Sequence, residues 1–288
     1  MSTEGQRFWN RVGWVDIEGY GIPPVGLDFK FEVEKIADVY PSFNVSVLGL
    51  SSNNINALTV WNPSDAVSIS REISVFAGYE DDGITTPICR GFVFNALPTP
   101  PPEMWMNFEC LLSLKNKIPI PQDLEEPISN GVLQDVVERV EKITGFKVSW
   151  FSQNYELDTP ASFTFDMSRD LVIKAFTEKY NLMAIYGDDY TVSFHDRKSW
   201  LNTTPDPTRD DIPVINLESG LLMVGNVNIA GAKIRVRLND RFRLMQWVKL
   251  ESKLIPSASG LYCVLSKKHV GHLRGKEWYT ELDMIRGA

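Results

Sequence analysis

The segment VSISREISVFAGYEDDGITTPICRGFVFNA (67–96) alternates apolar and polar residues on both sides of an acidic, glycine-punctuated turn. In its first arm Val67, Ile69, Ile73, Val75 and Ala77 interleave with Ser68, Ser70 and Ser74; the second arm runs through Ile88, Gly91, Phe92 and Phe94. A period of two marks strands with one buried face, so the spacing predicts a long β-hairpin turning over 78–86. A looser echo, MQWVKLESKLIPSASGLYCVLSKKHV (245–270), again gives a strand, a small-residue turn with Gly260 and a returning strand. Each hairpin is followed by a Trp-led strand, WMNFECL (105–111) and WYTELDMI (278–285). A β unit used twice in one chain points to a protein that builds geometry.

The stretches between these units divide the chain into three. Residues 1–115 read as a β module, with LDFKFEVEK (27–35) placing Leu27, Phe29, Phe31 and Val33 on one face, and SSNNINALT (51–59) as a helical turn capped by Ser or Asn. The Pro-rich LPTPPPE (97–103) reads as a loop at a sheet edge, with a proline-recognition ligand as the lesser alternative. Residues 116–200 change character. SNGVLQDVVERVEKITG (129–145) has helical spacing from Leu133 to Ile143, with Ser129 or Asn130 as cap and Gly145 as stop. ASFTFDMSRDLVIKAFTEKYNL (161–182) predicts a strand and a second helix burying Leu171, Val172, Ala175 and Phe176, and LMAIYGDDYTVSFHD (182–196) a hairpin. Residues 201–288 return to β. The expected fold class is α+β, mainly β: two related tube-like β-barrel or sandwich modules flanking a small α+β domain.

Chemistry is sparsely signalled. His269 and His272 are three apart with Cys263 upstream, but on a strand i and i+3 face opposite ways, and Gly271 implies a bend. The acidic groups Glu80-Asp81-Asp82, Asp123/Glu125/Glu126 and Asp210-Asp211 lie in turns or linkers, where solvated charge is the default and no carboxylate separation is fixed. None of the nucleophile-elbow, zinc-helix, phosphate-loop or dinucleotide motifs occurs. We expect no catalytic residue, cofactor or metal. The net charge of −8 argues against a general or sequence-specific nucleic-acid binder, and Arg235 and Arg237 read as the wet face of a strand. No apolar run approaches the ~20 residues of a membrane span. The N-terminus lacks the apolar stretch of a secretory signal, and the three cysteines read as reduced core residues of a protein made in a cytoplasm.

The order of features resembles the central baseplate hub proteins of contractile phage tails. The resemblance rests on ISVFAGY…ICRGFVF (73–94), GVLQDVVERVEKITG (131–145), SFTFDMSRDLVIKAFTEKYNLMAIYGDDYTVSFHD (162–196) and the closing run 218–285, with Tyr79, Gly91, His269 and Trp278 at the places the pattern requires. It implies a homotrimer at the tip of the tail tube, each subunit carrying two tube-like domains. Six similar domains then meet the six-fold tube on one side, a trimeric central spike on the other, and surround a DNA channel. The implied partners are the chain itself, the tube protein, the spike and other baseplate proteins; the implied location is the virion tail, assembled in the host bacterial cytoplasm.

Tyr79, Glu80, Asp81 and Asp82, with the rest of the loop to Thr85, are the candidate subunit or tube contacts; an ordinary solvated hairpin tip is the competing reading. Trp105 and Trp278 read as module core. A cell-encoded injection device such as a tailocin makes the same physical demands. A carbohydrate-binding or hydrolytic β protein using the acidic turns is the rival from another class.

Overall fold

The structure, a computed structural model, describes residues 10–18, 27–59, 71–113, 120–151, 156–187, 189–197, 205 and 211–287. Val67, Ser68, Ile69 and Ser70 of the first hairpin arm, Asp188 of the 182–196 hairpin, and Asp210 lie outside the described residues.

One 12-stranded sheet dominates the fold. Its first six strands are β1 (Arg11–Ile17), β2 (Asp28–Ile36), β3 (Ser42–Leu48), β4 (Glu72–Tyr79), β5 (Cys89–Pro98) and β6 (Trp105–Leu111), ordered β1-β4-β5-β6-β3-β2. Strands β7 to β11 belong to the middle of the chain. The last six are β12 (Val214–Ile215), β13 (Leu221–Val227), β14 (Gly231–Arg237), β15 (Trp247–Leu250), β16 (Gly260–His272) and β17 (Trp278–Arg286). They pair in the order β12-β15-β16-β17-β14-β13. Chain order and sheet order therefore match strand for strand. The one difference in direction is that β1 runs antiparallel to β4 whereas β12 runs parallel to β15. The two halves join where β2 pairs antiparallel with the second part of β16, Lys30 to Ile36 against His272 to Ser266.

Both sequence hairpins form, β4–β5 and β15–β16, and each returns along a third strand that begins on a tryptophan. The tryptophans are not equivalent, however. Register through β3 and β14 sets Glu109 opposite Asn44 and Asp283 opposite Lys233, so Trp105 corresponds to Tyr279. A one-residue offset reverses the face of a strand. Trp105 is accordingly half-buried, with the Lys30 ammonium 4.6 Å from its ring centroid, whereas Trp278 is 3% exposed. The second arm of the first hairpin also differs from expectation. Cys89, Gly91, Val93 and Ala96 face inward, while Phe92 and Phe94 are only partly buried.

In β2 the expected alternation holds, with Phe29, Phe31 and Val33 buried and Lys30, Glu32 and Glu34 exposed. Helix α1 (Ser52–Leu58) starts as the sequence implies, the Ser51 hydroxyl accepting from Asn54 N at 3.3 Å. The core of this half is completed by the other half: Trp278 packs edge-on against Phe29 and Phe31, centroids 6.3 and 6.0 Å apart, and its Nε1 donates to Gly78 O at 3.2 Å. Burying a side chain of that size contributes about 2–3 kcal/mol, so the halves share energy as well as backbone pairing. The second half keeps its own core around Ile234, Val236, Val248, Tyr262 and Leu282.

Between them lies the α+β part. Helix α2 (Gln122–Glu125) precedes β7 (Ile128–Val132), α3 (Leu133–Thr144) and β8 (Lys147–Phe151). β9 (Pro160–Phe163), α4 (Arg169–Lys179), β10 (Leu182–Tyr186) and β11 (Thr191–Asp196) follow. Helix α3 is shorter at its start than the sequence suggests, because Ile128–Val132 is drawn into a ladder with β9. The Asp135 carboxylate then accepts from Val132 N at 2.9 Å, replacing the expected Ser129 or Asn130 cap, and Gly145 ends the helix at φ 76°. On α4, Val172, Ile173 and Phe176 are buried and Leu171 is 46% exposed, a rotation of the expected stripe toward Ile173.

Candidate assembly interface

The seam between the halves holds the buried side chains of Lys35, Lys267 and His269. Lys35 of β2 lies directly opposite Lys267 of β16, and both are buried. Like charges facing each other across strands oppose folding, and here Asp240 offsets them. Its carboxylate pairs with the Lys267 ammonium and lies 3.3 Å from His269 Nε2. Lys267 Nζ also donates to Phe242 O at 3.2 Å, and Lys35 Nζ to Ile88 O at 3.2 Å. Burial pushes the Asp240 carboxyl up, but the adjacent His269 imidazole and the charges of Lys267 and Lys35 hold it well below the usual carboxylate range. Burial takes His269 down to about 4, outweighing the pull of the nearby Asp240 carboxylate. The imidazole is therefore neutral, with Nδ1 2.9 Å from the Thr280 hydroxyl.

His272, three residues on, faces the other way, its Nε2 2.9 Å from Asp28 Oδ2. The two imidazoles thus have separate surroundings, and among the described residues no group of three or more His, Cys, Asp or Glu side chains could hold a metal ion. Gly271 makes no bend: β16 runs straight through it, and a Cβ there would meet Phe31 Cε1 at 2.2 Å. Its service is close approach of strand to ring. His195 ends the 182–196 hairpin, with Nε2 3.0 Å from Ser193 Oγ.

The hairpin tip folds over this seam. Tyr79 is 5% exposed, and the Arg237 guanidinium of β14 stands 4.2 Å over its ring. Arg237 also reaches Asp82 Oδ2 at 3.3 Å, and Glu80 Oε2 accepts from Asn10 Nδ2 at 2.8 Å. Tyr79 and Asp82 are thus engaged within the chain, while Glu80, Asp81 and Asp82 remain on the exposed surface of the turn. Arg235, expected on a wet strand face, pairs with Glu281 at 3.1 Å and covers the Tyr279 ring at 4.4 Å. Asp38 docks the α+β part: its backbone N donates to Ala184 O, its carboxylate accepts from Ala184 N, each at 2.8 Å, and it pairs with Arg197. Neither Asp240 nor Asp38 stands out in the sequence. Their roles come from strands and loops about 27 and 146–159 residues away.

The chain is thus a duplicated six-strand module, joined edge to edge and interrupted by a small α+β part. The chain belongs to the baseplate hub gp41 family, whose sequence profile matches residues 25–283. Among solved structures it is similar to the 43 kDa tail protein of prophage MuSo2 from Shewanella oneidensis, with 8% identity over 96% of this chain and 97% of that one, TM-score 0.63. It is also similar to a tail protein from Neisseria meningitidis MC58, with 8% identity over 96% and 97%, TM-score 0.61. A third is the E. coli c3393 protein, a type VI secretion component described as structurally similar to T4 tail proteins gp27 and gp5 (8% identity over 96% and 77%, TM-score 0.64). At such identities the likeness is one of fold. No curated protein sequence matches the chain. The family makes this a component of the virion tail with a structural hub role, and among the described residues no helix is long and apolar enough to cross a membrane.

Proposed function

We propose that the protein is a homotrimeric adaptor, assembled in the host bacterial cytoplasm, that joins the six-fold tail tube to the three-fold central spike and acts without catalysis. The observation that carries this reading is the duplication: two halves with the same strand order, in one continuous sheet. Three such chains present six equivalent halves, which lets a three-fold ring meet six-fold symmetry with closed contacts. The three-domain division at 1–115, 116–200 and 201–288 belongs to the same proposal, the two β modules forming the ring and the α+β part projecting from it.

In this reading the polar face that crosses the join lines the channel. Lys30, Glu32 and Glu34 of β2, Lys268 of β16 and Glu281 of β17 share one polar face that crosses the join between the halves. Lys268 pairs with Glu32, and Lys233 and Arg235 pair with Glu281. A face of mutually neutralised charges offers passing DNA neither a cationic track nor an apolar one. The exposed carboxylates of Glu80 and Asp81 remain the candidate contact to tube or neighbouring subunit.

Mass measurement in solution, alone and with the tube and spike proteins, tests the adaptor reading. A trimer that binds both is expected; a monomer with affinity for neither overturns it. The same geometry would serve a tailocin hub, and gene neighbourhood separates the two.

A further inference from the structure

The buried stripe of β2 ends on a charge. Phe29, Phe31 and Val33 are followed on the same face by Lys35, 5% exposed, and the facing strand β16 supplies Lys267, 6% exposed. A buried ammonium loses its hydration, a cost that stands unless something anionic meets it. Asp240 meets Lys267. One carboxylate against two ammoniums leaves a cation over.

This pair does not lie under packed core. A cleft of about 530 Å³ opens here, lined by Lys35, Lys267 and Asp240 of the seam and by the small sheet of β8, β10 and β11. On β11 the alternation turns Val192 and Phe194 into the α+β core and leaves Thr191, Ser193 and His195 on the cleft. Ser149 of β8 joins them, and Ile185, Tyr186 and Leu244 add an apolar wall. Arg243 stands at the exposed rim, and its guanidinium has no ion pair or hydrogen bond among the described residues.

Among the described residues the lining thus holds three cations, Lys35, Lys267 and Arg243, against two carboxylates, Asp189 and Asp240. Asp189 sits on the exposed side, its carboxylate accepting from Thr191 Oγ1 at 2.6 Å. Burial lowers His195, so its imidazole adds no charge at neutral pH. The surplus is therefore positive, and its two innermost members are the buried lysines.

We propose that this cleft binds the phosphate group of a small anionic ligand, held between Lys35, Lys267 and Arg243. The three cations come from β2, β16 and the loop before β15, so they approach from different directions. A tetrahedral group with several acceptor oxygens meets such a set better than a planar carboxylate does, and a guanidinium fork can take two of those oxygens at once. The volume exceeds that of a bare phosphate and falls within the range of small-ligand sites. The wall of Ile185, Tyr186 and Leu244 suits an organic remainder. A bound anion would relieve the facing lysines and tie both halves of the large sheet to the α+β part.

Thermal unfolding of the full chain, titrated with inorganic phosphate at constant ionic strength, tests the site, because a ligand that binds only the folded state raises its melting temperature by mass action. A saturating rise with half-saturation at about 1 mM or below is expected, as a few charge-assisted hydrogen bonds support. Adenosine monophosphate, with adenosine as its uncharged control, separates the sources. Tighter binding of the nucleotide with adenosine inert assigns the phosphate to an ester; binding no tighter assigns it to the free ion. Arg243→Gln should raise half-saturation about tenfold and leave melting in phosphate-free buffer unchanged. Lys35→Met should abolish saturation, and if that variant does not fold, Arg243→Gln decides alone. Arg241→Gln removes an equal charge at an exposed position outside the cleft and should behave as wild type. A rise that never saturates and that sulfate reproduces is the general effect of excluded anions and overturns the site. Saturable binding that Arg243→Gln leaves intact overturns it as well.

Discussion

The Arg237 guanidinium stands 4.2 Å over the Tyr79 ring and 3.3 Å from the Asp82 carboxylate, tying a strand of the second half to the hairpin tip of the first. Together with the Trp278 hydrogen bond to Gly78 O, it fastens the tip across the join that β2 and β16 make. Burial pushes the Tyr79 phenol up against the opposing pull of Arg237, so the ring meets the cation as a neutral π-face.

Replacing Arg237 with Ala should therefore lower stability by about 1–3 kcal/mol, since a partly buried cation–π contact and its ion pair are both lost. Arg237→Lys should recover less than half, because an ammonium lacks the planar fork that stacks and pairs at once. Denaturant midpoints of the three proteins check this. Equal midpoints for wild type and Arg237→Ala would show that the clasp does not hold the tip.

Acidification should weaken the seam in two stages. The His269 value is lowered to about 4 in the folded protein, against about 6.5 for a free imidazole. Between those values the unfolded chain binds the proton that the folded one refuses, so stability falls as pH drops from about 6.5 to 4. The loss reaches at most about 3 kcal/mol. Asp240 is also lowered, so its contribution is present above its unfolded value and is lost on further acidification. Urea unfolding at stepped pH reads both stages, and His269→Gln should flatten the first.

Adding a methyl at Gly271 should cost about 1–3 kcal/mol, because it meets the Phe31 ring at 2.2 Å in a packed core. The double variant Gly271→Ala, Phe31→Leu should recover part of the loss. A coupling energy near zero in that double-mutant cycle would place the strain elsewhere.

Asp38 should govern how firmly the α+β part sits on the sheet. It occupies φ 65°, where Asp and Asn are tolerated and Ala is strained. Asp38→Ala should raise amide exchange in β10 and at Arg197 more than in β2 or β16, while Asp38→Asn should have a smaller effect. Uniform exchange changes across the protein would contradict local docking.

Much of the fold was legible in local pattern. The period-two stripe of β2, the hairpins, the Ser51 cap and the Gly145 stop each follow from a few neighbouring residues, and the structure has them all. Elements whose state depended on a distant partner were misread. Ile128–Val132 has helix-compatible spacing but is claimed by β9, and Leu171 lost its buried place to Ile173 because packing fixes the helix's rotation. The two tryptophans looked equivalent because each opens a strand, yet register puts them one residue apart and on opposite faces.

The hairpin at 67–96 and its echo fixed by themselves that one β unit is used twice, because alternation and turn chemistry are local properties of the chain. Tertiary structure alone decided that the copies are joined through β2 and β16 and that Asp240 sits between two facing lysines. Those relations depend on register between strands more than 200 residues apart, and no local preference encodes which edge meets which.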